Sequence, residues 1–96
     1  MLSIKSGVQV KSIRSEIILA IMVAESCRPK GNTVITSVID GKHVVGSKHY
    51  TGEAVDLRTY DLSTKEIIAW RNKIAWALGK EYTVILEDDH IHIHLN

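Results

Sequence analysis

The sequence predicts an α+β domain in which a small antiparallel sheet is packed against helices. The observations that predict it are an apolar helical segment, a serine–glutamate capping pair and several short runs of β-branched residues. A chain of 96 residues is large enough for one modest core and too small for two. Because 45% of the residues are hydrophobic and 24% are charged, we expect residues 1–96 to form a single globular domain.

Charge and composition exclude several classes of protein. The net charge is +1 with acids and bases interspersed, which leaves no basic footprint for DNA or RNA. The single cysteine, Cys27, cannot form an internal disulfide and is expected to be a small buried apolar residue. The most apolar run, residues 17–24, is eight residues long, whereas a membrane-spanning helix needs about 20. No secretory signal precedes it, so we expect a soluble chain made in the cytoplasm that does not bind membranes.

The first half of the chain is expected to contain an arm, a helix and a strand. Residues 1–11 are weakly patterned and predict an edge strand or an extended arm. Ser12 is the expected N-cap of a helix that ends at Glu25 or Ser26. That helix is apolar almost all round, so we expect it to be buried against the sheet. A proline and a Gly-Asn pair end it, and the β-branched residues 33–39 then predict a central strand.

The second helix has the clearest local signals. Ser63 and Glu66 have the spacing of a capping box, in which the serine oxygen accepts a hydrogen bond from the Glu66 backbone and the glutamate reaches back. Gly79 marks the end of this helix after about Leu78. Trp76 lies off the apolar stripe, so it is either a partly buried aromatic on the helix flank or part of a substrate cleft.

The second half of the chain should also supply the rest of the sheet. The strands expected there are residues 53–58, 82–86 and 90–95. In the first of them, alternation turns Asp56 away from the core. If the last two were one unbroken strand, Glu87 and Asp89 would share its apolar face, and burying two carboxylates there is costly. We therefore expect a turn between these strands and a hairpin whose tip brings acids beside histidines.

The functional signal is a histidine and a carboxylate seven residues apart, followed by a strand of alternating histidines. His49 and Asp56 flank a glycine-containing bend, which can place a nitrogen and an oxygen ligand on one side of a loop-to-strand junction. Because side chains alternate along a strand, His90, His92 and His94 share one face while the isoleucines between them share the other. A His/Asp/His set suits zinc with one position left open. Each residue alone is more often a surface polar group, and a purification tag would be consecutive rather than interleaved with isoleucine.

These motifs carry a resemblance to a known family. The pattern Ser-x-His-x-x-Gly-x-Ala-Val-Asp-Leu at residues 47–57, followed by His-Ile-His at residues 90–92, resembles peptidase family M15, the zinc D-Ala-D-Ala carboxypeptidases and phage endolysins. The wider fold of that family is shared with the Hedgehog signalling domain. The match runs from about residue 34 to residue 96 and, with the first helix, covers nearly the whole chain. The resemblance implies a Hedgehog/DD-peptidase-like fold.

The resemblance also implies an activity and a role for each motif residue. It implies a zinc metallopeptidase that hydrolyses a peptide bond in bacterial cell-wall peptidoglycan, as an endolysin or a carboxypeptidase does. Zinc (Zn2+) would be held by His49, Asp56 and His92, and His90 beside it would be a catalytic or transition-state-stabilising imidazole. In the family an acid a few residues upstream is the general base, and we expect Glu87 in that role. Release from the cell would bring such an enzyme to the stem peptides of the wall.

Two features depart from the family pattern. Members that cut beside a terminal carboxylate often carry an arginine after the strand equivalent to residues 34–39, and this chain has none there. Lys42, Lys48 or Arg58 could replace it, although an ammonium group lacks the bidentate geometry of arginine. The missing arginine favours an enzyme that cuts within the peptide. His94 also continues the imidazole row, either as a hydrogen-bond partner of a ligand or as an alternative ligand.

Several assignments stay open at the level of the sequence. The expected substrate contacts are Ser37, Lys42 and Ser47. Asp89 is the alternative to Glu87 as the base, because both lie near the expected hairpin tip. The alternative to an enzyme is a non-catalytic zinc-bound binding domain, or a phage structural or accessory protein, of the same fold.

Overall fold

The structure, a computed structural model, describes residues 1–10, 13–38 and 51–96. Within these ranges a five-stranded sheet is combined with two α-helices, which confirms the expected α+β class. The elements in chain order are β1 (Leu2–Ile4), α1 (Ser15–Cys27), β2 (Thr33–Ser37), β3 (Ala54–Arg58), α2 (Thr64–Leu78), β4 (Tyr82–Leu86) and β5 (His90–Leu95). A single 3-10 turn, Gly79–Glu81, joins α2 to β4.

The sheet is mixed, which corrects the expectation of a wholly antiparallel one. Its strand order is β1-β2-β3-β5-β4, and β1 pairs parallel with β2 while the other neighbours pair antiparallel. Two parallel strands cannot be joined by a tight turn and need a long crossover connection. Helix α1 provides that crossover, since it lies between β1 and β2 in the chain. The N-terminal arm therefore becomes an edge strand of the sheet.

Both helices contribute to one hydrophobic core with the sheet. The buried members include Ile17, Ala20, Ile21 and Ala24 of α1, Trp70 and Ile74 of α2, and Val55, Leu57, Ile91 and Ile93 of the sheet. Two long-range hydrogen bonds tie α1 to the second half of the chain. The indole Nε1 of Trp70 donates to the Ala24 carbonyl at 2.9 Å, and the Tyr82 hydroxyl donates to the Glu16 carbonyl at 2.9 Å.

Helix α1 differs from its prediction at its start and on one face. It begins at Ser15 with Arg14 as N-cap, so the expectation of a helix capped by Ser12 is wrong; Ser12 itself lies outside the described residues. Ile18, Leu19 and Met22 are exposed rather than buried. In a two-layer domain a helix has only one face against the sheet, so an all-apolar sequence leaves apolar side chains on the other.

The second half of the chain follows its local signals closely. Ser63 and Glu66 form the expected capping box, with hydrogen bonds of 3.2 and 2.9 Å, and Gly79 ends α2 with a φ of 76°. The β4–β5 hairpin is also confirmed, because the Glu87 N–H donates to the His90 carbonyl at 2.9 Å across the turn.

Trp76 is 89% exposed, so its expected partly buried position is wrong. Within the described residues, no helix is long and apolar enough to cross a membrane.

Candidate functional site

The register of β3 and β5 places a row of polar side chains on the sheet face opposite the helices. Asp56 pairs directly with His92, and Arg58 pairs with His90. Directly opposed residues of an antiparallel pair project to the same face, with their Cβ atoms about 5 Å apart. Ile91 and Ile93 between the histidines are fully buried, which confirms that imidazole and aliphatic side chains alternate across β5. The site is therefore built by two adjacent strands.

The carboxylate of Asp56 lies at the centre of this row. Its residue is buried, with 7% of its surface exposed, and its oxygens face two different imidazoles. Oδ1 lies 3.0 Å from Nδ1 of His92, and Oδ2 lies 3.6 Å from Nε2 of His90. The backbone at this point is held by the Thr36 hydroxyl, which donates to the Asp56 carbonyl at 3.3 Å. A nearly buried carboxylate between two imidazoles is a compact set of oxygen and nitrogen donors.

His92 has a partner at each ring nitrogen. Nδ1 faces Asp56, and Nε2 lies 2.9 Å from Nδ1 of His94. The two imidazole rings meet edge to face, with centroids 5.1 Å apart and an interplanar angle of 65°. Asp56, His92 and His94 thus form one continuous chain of hydrogen bonds along the sheet surface.

His90 is likewise held between two carboxylates. Its Nδ1 lies 2.7 Å from Oδ1 of Asp89, while its Nε2 faces Asp56. The hydrogen bond from His90 lowers the pKa of Asp89 below its ordinary value, and the charge of a protonated His90 adds to the effect. Asp89 is therefore ionised at neutral pH.

A cleft of about 420 Å³ opens over this cluster. Its walls carry Lys5, Thr36, Ser37, Asp56, Arg58, Tyr60, Asp89 and His90. Ser37 was expected to contact substrate, and it lines the cleft. The Arg58 guanidinium lies 4.7 Å from the centroid of the Tyr60 ring, and its Nη1 donates to the Tyr60 hydroxyl at 3.2 Å.

Sequence reasoning did not identify Lys5 or Tyr60. Lys5 follows an edge strand, and its N–H donates to the Ile35 carbonyl at 2.9 Å. No local pattern could place it in the cleft, because the parallel pairing of β1 with β2 is a long-range contact. Tyr60 could have been found, since it comes two residues after Arg58 at the end of a strand whose alternating face was already assigned.

Some expected site residues are not brought together by the described structure. Glu87 is exposed and lines a separate hollow with Thr64 and Ile67 of α2 rather than the cleft. His49, Lys42 and Ser47 lie outside the described residues, as does Lys48. Of the three expected zinc ligands, the structure therefore places Asp56 and His92.

Zinc binds imidazole nitrogens and carboxylate oxygens, and His92 and Asp56 supply one donor of each kind. Two ligands bound tetrahedrally at about 2.0–2.1 Å from zinc lie about 3.3 Å apart. The 3.0 Å between Oδ1 of Asp56 and Nδ1 of His92 is only slightly shorter. Across residues 1–10, 13–38 and 51–96, no group of three or more His, Cys, Asp or Glu side chains is arranged to hold a metal ion. A complete site there needs a further ligand, and His49 is the expected one.

Comparison with known proteins returned no relative. No protein-family model, curated protein or solved structure matches the chain. The relation to peptidase family M15 is therefore a resemblance of motifs, carried by residues 47–57 and 90–92.

Proposed function

We propose that this protein is a zinc metallopeptidase that hydrolyses a peptide bond in bacterial cell-wall peptidoglycan, on a Hedgehog/DD-peptidase-like fold. The observation that carries the proposal is the nearly buried Asp56 carboxylate, placed between His92 and His90 beneath an open cleft. A carboxylate at this depth needs a compensating partner. Imidazoles and a cation together supply one, and the cleft gives a substrate access to them.

Asp56, His92 and His49 would hold the metal. When bound, zinc supplies Lewis acidity that polarises the scissile carbonyl and lowers the pKa of water to about 7. Asp56 contributes the negative charge of the ligand set. Asp56 is nearly buried, and it lines the cleft, so a substrate would reach it from the cleft.

Asp89 is the proposed proton carrier. It lines the cleft, is ionised and lies beside His90. A carboxylate in this position accepts a proton from the attacking water and delivers it to the leaving amine. Glu87, the acid favoured from the sequence, lines the other hollow. The geometry therefore favours Asp89 over Glu87.

His90 is oriented by Asp89 and presents its other nitrogen to the centre of the site. Nδ1 is engaged by the Asp89 carboxylate, which leaves Nε2 directed toward Asp56. In its protonated form His90 donates from Nε2 to the negative charge that develops on the carbonyl oxygen. One such donor is worth roughly 10²-fold or more in rate.

Two cations on the cleft wall suit the carboxylates of a stem peptide. Lys5 and Arg58 both line the cleft, and stacking on Tyr60 restrains the Arg58 guanidinium. Arginine offers the planar fork that binds a carboxylate with two hydrogen bonds. Among the candidates that the sequence offered for this role, Arg58 is the one that we propose, because it lines the cleft. Hydroxyl groups of Thr36 and Ser37 on the same wall suit the peptide backbone.

The test combines metal content with cleavage. We expect one zinc per chain, and we expect Asp56→Ala and His92→Ala each to lose it, because each is a proposed ligand and their donor atoms lie 3.0 Å apart. Asp88→Ala is the matched control, since that exposed acid lies outside the cleft. Zinc is measured by elemental analysis after gel filtration, and cleavage by mass analysis of peptides released from purified peptidoglycan.

Each outcome of this test bears on the proposal. Undiminished zinc in both site variants rejects the metal centre. Zinc binding that depends on Asp56 and His92, without release of any peptide, favours a non-catalytic zinc-bound binding domain instead. Release of peptides by the wild type and not by the two variants supports the peptidase.

A further inference from the structure

His94 is the site histidine to which the proposed mechanism assigns no role. It is half-buried and pairs with Ala54 on one side and Thr83 on the other, on the face that carries Asp56. Its Nδ1 lies 2.9 Å from Nε2 of His92. The contact is between two ring nitrogens, so one of them must donate a hydrogen and the other must accept it.

The direction of that hydrogen bond depends on what His92 does at its other nitrogen. An ionised carboxylate can only accept a hydrogen bond. When no metal is bound and a neutral His92 hydrogen-bonds to Asp56 through Nδ1, the hydrogen of the ring is therefore on Nδ1. Nε2 then accepts from His94. If Nδ1 instead binds a metal, it must present a lone pair, and the hydrogen of His92 moves to Nε2. Nε2 then donates to His94.

We propose that His94 is the positioning residue of the metal centre. It accepts the Nε2 hydrogen of His92 and so holds that imidazole in the tautomer and orientation in which Nδ1 binds the metal beside Asp56. This inference rests on the zinc site of the proposed function and adds to it the residue that orients a ligand. Histidines that bind metals nearly always donate their second nitrogen to such a partner, and loss of the partner typically weakens metal binding about 10–100-fold.

The geometry of the sheet supports this role over that of a third ligand. Consecutive residues on one face of a strand lie about 6.6–6.8 Å apart, at about 3.3–3.4 Å per residue. The His94 ring meets the side of His92 that is remote from Asp56, since its contact is to Nε2 while Asp56 contacts Nδ1. The His92 ring would therefore separate His94 from a metal bound by Asp56 and Nδ1 of His92.

Two variants separate the hydrogen bond from the shape of the side chain. His94→Phe keeps a ring without an acceptor, whereas His94→Asn places an amide oxygen near the position of Nδ1. We expect zinc affinity, measured by competition with a chromogenic chelator, to fall about 10–100-fold in His94→Phe and to stay within a few-fold of wild type in His94→Asn. Thr83→Val is the matched control, because Thr83 is the cross-strand neighbour of His94 and lies on the same face.

A measurement on the unmodified protein tests the tautomers directly. Histidine ¹⁵N NMR of the wild type should show the hydrogen of His92 on Nδ1 without metal and on Nε2 with zinc, and His94 should move its hydrogen from Nδ1 to Nε2 in the same step. This measurement uses the wild-type protein, so it tests the proposal even if His94→Phe fails to fold. A zinc-loaded spectrum in which a His94 nitrogen, or Nε2 of His92, binds the metal overturns the proposal.

Failure of this inference is distinguishable from failure of the metal site. If Asp56→Ala loses zinc while both His94 variants bind it as wild type does, His94 is not a positioning residue and the metal centre stands. If Asp56→Ala and His92→Ala both keep zinc, the metal centre itself is rejected, and this inference is rejected with it.

Discussion

At the residue scale, the β4–β5 turn determines which acid lines the cleft. The Glu87 N–H bonds the His90 carbonyl, so Asp88 and Asp89 form the tip of the turn, and Asp89 comes next to His90. Its carboxylate bonds the His90 ring at 2.7 Å and lines the cleft. Glu87, two residues earlier, lines the hollow on the α2 side.

We therefore expect Asp89→Asn to lower turnover about 10²-fold or more, which is the usual scale for loss of a general base. Glu87→Gln is the matched control, and its turnover should stay near that of the wild type. Both variants should keep zinc, because neither acid is a proposed ligand. The rates are measured on soluble peptidoglycan fragments with zinc content checked in the same samples. A large loss in Glu87→Gln with little change in Asp89→Asn would restore Glu87 as the base.

At the element scale, a capping box stabilises the start of α2. Of the two α-helices in the described residues, only α2 has a side-chain hydrogen bond at its N-cap. Ser63 accepts from the Glu66 N–H, and the Glu66 carboxylate accepts from the Ser63 N–H at 2.9 Å. Helix α1 has no such bond at its N-cap, Arg14. Replacing an N-cap serine by alanine typically costs about 1 kcal/mol. We expect Ser63→Ala to lower the free energy of unfolding by that amount, measured by urea denaturation followed by circular dichroism.

The same cap should be sensitive to acid. Hydrogen bonds from Ser63, the backbone N–H first, lower the pKa of Glu66 below its ordinary value. A lowered pKa in the folded state means that the stabilisation is complete above the unfolded pKa and is lost as the pH falls through the folded one. The difference in unfolding free energy between wild type and Glu66→Gln should therefore be largest near neutral pH and shrink in acid.

A nearby ion pair supplies the control for that experiment. Lys30 lies 3.6 Å from the Glu66 carboxylate and is exposed, so its contribution should be small. Lys30→Ala should leave most of the acid dependence in place. If the dependence disappears in Lys30→Ala, the ion pair rather than the cap is its source. A difference between wild type and Glu66→Gln that does not change with pH would contradict the cap itself.

At the scale of the whole molecule, Trp70 joins the two helices to the core. Its side chain is fully buried, its Nε1 donates to the Ala24 carbonyl, and the Arg28 guanidinium lies 4.6 Å from the centroid of its ring. Arg28 is in turn bound to Asp61 at 2.6 Å. One residue of α2 thus contacts the end of α1 and, through Arg28, the segment after β3.

Trp70→Ala should therefore destabilise the fold by about 3–5 kcal/mol, the usual cost of a large aromatic removed from a core. Trp76→Ala is a control of the same chemistry on the same helix, and it should change stability by no more than about 0.5 kcal/mol because Trp76 is exposed. Urea denaturation of both variants measures the difference. Similar losses in the two variants would show that Trp76 is covered in solution.

Features that depend on neighbouring residues could be predicted from the sequence alone. The capping box, the end of α2 at Gly79 and the alternation along β5 were all predictable and are confirmed. Each rests on contacts three or four residues apart, or on the two-residue period of a strand. The same alternation predicted that the β5 histidines would share one face.

Which distant residues meet depends on long-range packing, so it is seen first in the folded structure. The sequence could not show that β1 pairs parallel with β2 and brings Lys5 to the cleft, or that one face of α1 stays exposed. Nor could spacing choose which of the three histidines pairs directly with Asp56 across the strands, since alternation places all of them on the same face. The β3–β5 register makes that choice by setting His92 opposite Asp56. Register and layer packing depend on the burial of the whole core, and no local pattern encodes them.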